Sequence, residues 1–274
     1  MIDPSLRYDV LTGIPTPFGL ADLLTALQID DSAERWQLPS LPSGHGGVLG
    51  SQLLAQQVTC AERLVPDKKV LTLQALFIRG GVGGEPLELY PEELQQGRSF
   101  ASYALTFRQG STTICRADVL LHADESDYVR VGLAAPDPGR IDDARPMRIA
   151  LMPWETRAAA KQAPGSLLVW QRIPVDSADP SRCRSLLAFT TEVLALQHFR
   201  VAESLPPTPA VTGSILSQRV SFFDQLDLRE WHLVRTEVEY AGGGRAAAGG
   251  EIYSADGRLA ATFEQVALMR GGRS

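Results

Sequence analysis

The sequence predicts an α+β chain in which one unit is built twice, each a long buried helix followed by an antiparallel meander. The first observation is a closing hairpin, Gly244 to Arg270, whose two apolar runs flank a turn at Ala255-Asp256-Gly257. The second is its echo from Gly97 to His122. Gly97-Arg98 precedes Gly244-Arg245 by 147 residues, and the turn glycine Gly110 precedes Gly257 by the same 147. Similarity at half the chain length points to tandem duplication, because each hairpin then meets the same packing problem at the same register. The third is a pair of segments, 48–64 and 185–198, apolar on more than one side, as buried helices are. Between the halves, 124–146 is acidic, proline-rich and aperiodic, and reads as a linker joining units at 1–123 and 147–274.

Taken in order, Phe18 to Leu27 carries apolar residues at helical spacing and predicts a short helix. Residues 38–44 form a Pro/Ser/Gly connector. The long helix follows, preceded by Gly46-Gly47. That glycine pair allows close approach to the backbone, either by a ligand drawn to the free N–H groups of a helix start or simply through close packing of the helix on the sheet. Val70 to Ile78 is a strand stopped by Arg79-Gly80-Gly81, and Leu87 to Leu94 is a second, weakened by Pro91. Ser99–Phe107 and Thr112–His122 make the first hairpin. In the second half Met147–Met152 and Leu167–Ile173 read as strands, 185–198 as a helix, and Val201–Thr212 as a proline-rich loop. Ser214–Phe223 and Trp231–Tyr240 are strands leading into the closing hairpin. The GGGR at Gly242–Arg245 is a turn and not a phosphate loop, since no GxxxxGK[ST] is present and a strand follows.

Composition narrows the classes of function. A net charge of −6 over 274 residues disfavours a general nucleic-acid binder, though a local arginine cluster could still hold a small polyanion. No run approaches a membrane span, and the N-terminus lacks a basic-then-apolar signal pattern. Cys60, Cys115 and Cys183 are too few and too scattered for a disulfide framework or a metal knuckle, so a reducing cytoplasm is the expected setting. No metal or other cofactor is expected. No GxSxG elbow occurs, which argues against a serine hydrolase of the α/β type. Glu192 stands out within SLLAFTTEVLALQH: a charge among apolar residues is costly to bury and demands a partner or a function.

Local patterns in both halves resemble the acyl-CoA thioesterase II family: HGGVLGSQLL (45–54), LFIRGGVGGEPL (76–87), QGRSFASYALTFRQG (96–110), SFFDQLDLREWHL (221–233) and GEIYSADGRLAATFEQVALMR (250–270). The resemblance implies a tandem, or double, hotdog: in each unit a long helix is wrapped by an antiparallel sheet. It implies hydrolysis of acyl-CoA by water that an Asp, a Gln and a Thr position together. A thioester carbonyl is electrophilic enough for direct attack, so no nucleophilic serine is needed.

Carried over residue by residue, the Gln falls on Gln265 within FEQVALMR, and its first-half counterpart at the 147-residue offset is Asp118, which could equally face solvent. The family's Asp, in a pattern like YxSDxxFL, corresponds to Glu192 in FTTEVLAL. The Thr, in [ST]-L-D-H, falls on Ile215 of Ile215-Leu216-Ser217-Gln218, where no donor exists. Ser217, two residues on and so expected on the same strand face, could substitute, while Ser214 should face the other way; both serines could equally be ordinary strand residues. For the polyanionic CoA the candidates are Arg79, Arg98 and Arg245, with His45, Gly46 and Gly47 at the helix start. Each arginine could equally be an ordinary surface residue. The altered triad keeps a second reading open, a non-hydrolytic acyl-thioester binding protein. A hotdog hydratase would need an Asp and a His paired at the helix, which this chain does not offer. The resemblance also implies a homodimer or larger homo-oligomer.

Overall fold

In a computed structural model, residues 16–29, 36–43, 46–163, 165–201 and 211–271 are described. The first unit holds α1 (Leu20–Ala26), β1 (Trp36–Leu38), α2 (Gly50–Leu64), β2 (Lys69–Phe77), β3 (Leu87–Gln96), β4 (Phe100–Gln109) and β5 (Thr112–His122). The rest holds β6 (Arg145–Met147), β7 (Glu155–Ala158), β8 (Ser166–Arg172), α3 (Pro180–Val201), β9 (Val211–Phe222), β10 (His232–Gly242), β11 (Arg245–Ser254) and β12 (Leu259–Gly271).

Among the described residues twelve strands join one antiparallel sheet in the order β1-β3-β4-β5-β2-β9-β12-β11-β10-β8-β7-β6. The duplication is visible in that order. In the first unit the meander β3-β4-β5 ends beside β2, the strand that follows α2; in the second, β10-β11-β12 ends beside β9, the strand that follows α3. The two runs meet at β2 and β9, which pair antiparallel from Thr72↔Ser221 to Leu76↔Ser217. The fold is the expected tandem hotdog, with both helices on the sheet's inner face.

The expected elements are present with shifted edges. Helix α2 starts at Gly50 and not at Val48, because the Val48 N–H donates to Gly81 O at 3.2 Å. Helix α3 starts five residues earlier than expected: Pro180 supplies a preset first turn, and Asp179 accepts the Arg182 N–H through Oδ2 and the Cys183 N–H through its carbonyl. Strand β3 runs through Pro91, which is tolerated because β1 pairs only with Leu87–Leu89 and leaves that edge open. Met147–Met152 is not one strand. Pro146 and Pro153 bracket an irregular stretch in which Leu151 takes φ 69°, and short strands lie on either side. Strands β1, β6 and β7 carry no sequence signal, each being too short to show a period. Most of the proline-rich loop, from 202 to 210, lies outside the described residues, and 211–212 open β9.

The helices pack antiparallel to one another and share one core, in which Leu53, Leu54, Val58, Leu186, Leu187 and Phe189 are buried. Thr59 and Ser185 hydroxyls meet at 2.8 Å. Beside them Arg184 holds Glu62 through two bonds of 2.5 and 2.9 Å, with the side chains only 10% and 6% exposed, and Glu62 also accepts the Val70 N–H. A second, smaller cluster lies on the outer face. There Ala144, at the end of the 124–146 segment, joins Leu168, Trp170, Leu233 and Tyr253, so β8 is buried on both faces.

Two consequences can be measured. Removing one member of a buried ion pair strands the other charge, so Arg184→Met should cost about 3–5 kcal/mol by urea unfolding. Glu62→Gln/Arg184→Met, which keeps an acceptor for Val70, should recover most of that loss. Equal losses in the single and double variants would show that the pair's charges do not matter. Second, burial pushes His198 and His232 down to about 4. Unfolded imidazoles titrate near 6.5, so the unfolded chain takes up protons between about pH 6.5 and 4 that the native chain refuses. Stability from these residues is therefore full above pH 6.5 and falls as pH drops towards 4. His232→Gln should reduce the slope of unfolding free energy against pH in that window by about 1.4 kcal/mol per pH unit, one proton's worth.

Candidate active site

Glu192 sits on α3 at 6% exposure. Its Oε1 points at Gly50, the first residue of α2, where an added Cβ would lie 3.4 Å from it. The same point would be 2.8 Å from Ile215 Cγ2 and 3.3 Å from Phe77 Cε1. Glycine at 50 is what lets α2, α3, β9 and β2 converge there. Leu49, the residue that caps α2, offers no side-chain bond, so the first turn's N–H groups face this junction uncapped. The positive end of the helix dipole favours a carboxylate at this position.

One step along the inner face lie two glutamines. Gln265 on β12 pairs with Gln218 on β9, and the two are 2% and 1% exposed. Neither amide atom of Gln265 has a hydrogen-bond partner among the described residues, and neither does Gln218 Oε1. The amide nitrogen of Gln218 donates to Thr191 Oγ1 at 3.0 Å, and Thr191 Oγ1 donates in turn to Ala188 O at 2.8 Å. Because Thr191 has committed its proton to Ala188, it can only accept from Gln218, which fixes the orientation of the Gln218 amide.

Ser217 is not brought to this site. A β-bulge skips Leu216, so Val266 pairs with Ser217 while Ala267 pairs with Ile215. The extra residue breaks the period of two: Ile215 faces inwards beside Gly50, whereas Ser217 faces outwards with the exposed Leu76 and Val266. There it lines a surface groove with Gln74, Arg219, Glu239 and Glu264. Asp118 is likewise on the outer face, 68% exposed and 3.7 Å from Arg116. Matching bulges at Ile114 and Ala260 put the structural offset between β5 and β12 at 146, so the counterpart of Gln265 is the buried Val119.

The candidate CoA residues separate. Arg79, Arg98 and Arg245 are all exposed. Arg79 follows β2 just past Phe77, and Arg245 opens β11 opposite Leu268, whose other neighbour is Ser214, so both lie at the Gly50–Glu192 end of the sheet. Arg98 lies at the other end, beyond the Phe100↔His122 pair. The reason is topological: β2 and β9 run antiparallel, so equivalent turns in the two units point in opposite directions. Gly46 and Gly47 do permit close approach, and what approaches is the chain itself. Gly83 N donates to Gly46 O at 2.8 Å, Gly47 bridges Val82, and a Cβ on Gly83 would meet Gly47 O at 2.8 Å. His45 lies outside the described residues. Among the described residues no three of His, Cys, Asp and Glu converge as a metal site, and no helix is long and apolar enough to cross a membrane.

Sequence reasoning missed Gly50, Thr191 and Gln218. The alternation Gln218, Val220, Phe222 carried a signal for Gln218, since it shares the inner face with two core residues.

Comparison with known proteins places this geometry. The chain is 25% identical to acyl-CoA thioesterase 2 of Haemophilus influenzae, an alignment covering 92% of this chain and 96% of that one. Among solved structures, the tesB protein of Mycobacterium avium subs paratuberculosis superposes with a TM-score of 0.82 at 20% identity, over 92% of this chain and all of that one. The acyl-CoA thioesterase II TesB2 of Mycobacterium marinum gives 0.76 at 22% identity, over 92% and 98%. These two likenesses establish the shared fold. The model of the acyl-CoA thioesterase N-terminal domain matches residues 38–122, and that of the C-terminal domain matches 124–269. On that match across both units, the chain belongs to the acyl-CoA thioesterase II family.

Proposed function

We propose that this protein hydrolyses fatty or other acyl-CoA thioesters to the free acid and CoA by direct attack of water, with Glu192 as general base and Gln265 as a water- or oxyanion-holding group. The observation that carries the reading is a buried carboxylate at an uncapped helix start, one inner-face step from a buried glutamine amide with no partner among the described residues. Buried polar atoms are rarely left without partners, and a ligand's polar atoms explain them.

In the reaction, water oxygen bonds to the thioester carbonyl carbon while Glu192 takes its proton. The oxyanion that forms is met by amide N–H groups from Gln265 or the first turn of α2. The tetrahedral intermediate then collapses, the C–S bond breaks, and the proton on Glu192 passes to the departing CoA sulfur. Glutamate in place of the family's aspartate lengthens the base by one methylene. Its carboxylate nonetheless comes within reach of Gly50, which has no side chain to obstruct it. Arg79 and Arg245, at the same end of the sheet, suit the CoA phosphates. The reading includes units at 1–123 and 147–274, a reducing cytoplasmic setting in keeping with three free, buried cysteines, and self-association into a homodimer or larger homo-oligomer.

The inward Ile215 favours a second reading, an acyl-thioester binder without turnover, because a hydrocarbon side chain stands where the family pattern has a hydroxyl. One experiment separates the two. Thiol release is followed with a thiol-reactive dye on short, medium and long acyl-CoAs. Turnover is expected, reduced about 10²–10⁴-fold in Glu192→Gln and about 100-fold in Gln265→Ala. Absence of release from every substrate by folded protein that still binds an uncleavable acyl-CoA analogue would establish the binder instead.

A further inference from the structure

We infer that Gln218 is the third polar member of the site, holding the attacking water through its Oε1 in place of the hydroxyl lost at Ile215. The inference deepens the hydrolase reading and rests on it. Three observations carry it. The bulge at Leu216 turns Ser217 out of the interior. The same bulge restores the inner face at Gln218, directly across from Gln265. And the Gln218 amide is held in one orientation by the chain Gln218 Nε2 to Thr191 Oγ1 to Ala188 O, leaving Oε1 buried and without a partner among the described residues.

That polarity decides what Gln218 can do. Its Oε1 is an acceptor only, so it cannot stabilise an oxyanion; it can receive a hydrogen bond from water. A water that gives one proton towards Glu192 and the other towards Gln218 Oε1 has both hydrogens engaged and directs a lone pair elsewhere. Thr191 adjoins Glu192 on α3, so the groups that hold Gln218 and the base are neighbours in the chain. Along β12, Ala267 and Gln265 mark the Ile215 and Gln218 levels, two residues or about 7 Å apart, enough for a water and a thioester carbon between them. Gln265 keeps its donor for the developing oxyanion. Proton removal, water orientation and charge stabilisation then fall to Glu192, Gln218 and Gln265 respectively.

The test compares wild type, Glu192→Gln, Gln218→Met, Gln218→Glu and Ser217→Ala by thiol release over pH 5–9, with thermal unfolding of each. Gln218→Met keeps the shape and loses the acceptor. It should lower kcat about 100-fold with KM within about twofold. Gln218→Glu retains an acceptor oxygen, loses the amide donor to Thr191, whose hydroxyl must then turn from Ala188 to the new carboxylate, and adds a negative charge near the base. It should retain more turnover than the methionine variant, and its rising pH limb should move to higher pH, because a nearby like charge raises a carboxyl pKa. Ser217→Ala should match wild type. A Gln218→Met variant within threefold of wild-type kcat overturns the inference while leaving the hydrolase standing, provided Glu192→Gln is inactive. So does a loss of activity that Ser217→Ala shares, or one that tracks the fall in thermal stability. No turnover by wild type overturns the hydrolase reading itself, and the assignment of Gln218 with it.

Discussion

The constraint on which the structure depends is that two antiparallel helices must lie side by side against one continuous sheet. Each helix start therefore abuts the body of the other helix. At one end the first turns of α3 meet α2, and there Arg184 clamps Glu62 in a bidentate bond between two nearly buried groups. At the other end the start of α2 meets α3, and Gly50 lies against Glu192. The same geometry yields a closed ion pair in one place and a carboxylate facing an uncapped helix start in the other. What differs is the residue that each helix start presents, Arg184 in one case and Gly50 in the other.

That difference accounts for one site in a duplicated fold. In the first unit the position equivalent to Gln265 is Val119, and Asp118, one residue earlier, points to solvent. The inner face of β5 therefore carries Val119 where β9 and β12 carry Gln218 and Gln265, although Gln57 of α2 is buried against Cys115 there. Burying amide groups without partners costs stability, commonly about 1–3 kcal/mol each. Both units bear that cost, since Gln56 Oε1 and Gln57 Oε1 on α2 are likewise buried without a partner, but among the described residues such amides are carried on the sheet in the second unit alone. The topology adds a second asymmetry: Arg79 and Arg245 share an end of the sheet with Glu192, while Arg98, though equivalent to Arg245 in sequence, lies at the far end.

Much was legible in the sequence because the signals are local. Hairpin turns, helical periodicity and an offset close to 147 residues revealed the α+β class, the duplication and nearly every long element. Glu192 was legible too, since a charge inside an apolar helix is anomalous wherever the helix packs. Short edge strands carried too few residues to show a period, and the start of α2 shifted because Val48 bonds to Gly81, which no pattern within its own segment announces, whereas the Asp179-Pro180 cap of α3 was a local signal left unread.

The sequence by itself determined the units, the family resemblance and the buried carboxylate, because each depends on residues near one another in the chain. Only the tertiary structure decided which polar side chains face that carboxylate. A single extra residue at Leu216, forced by the pairing of β9 with β12, reverses the facing of Ser217 and turns Gln218 to the interior. Facing in a sheet is set by register with the neighbouring strand, and a period of two carries no record of where that register slips.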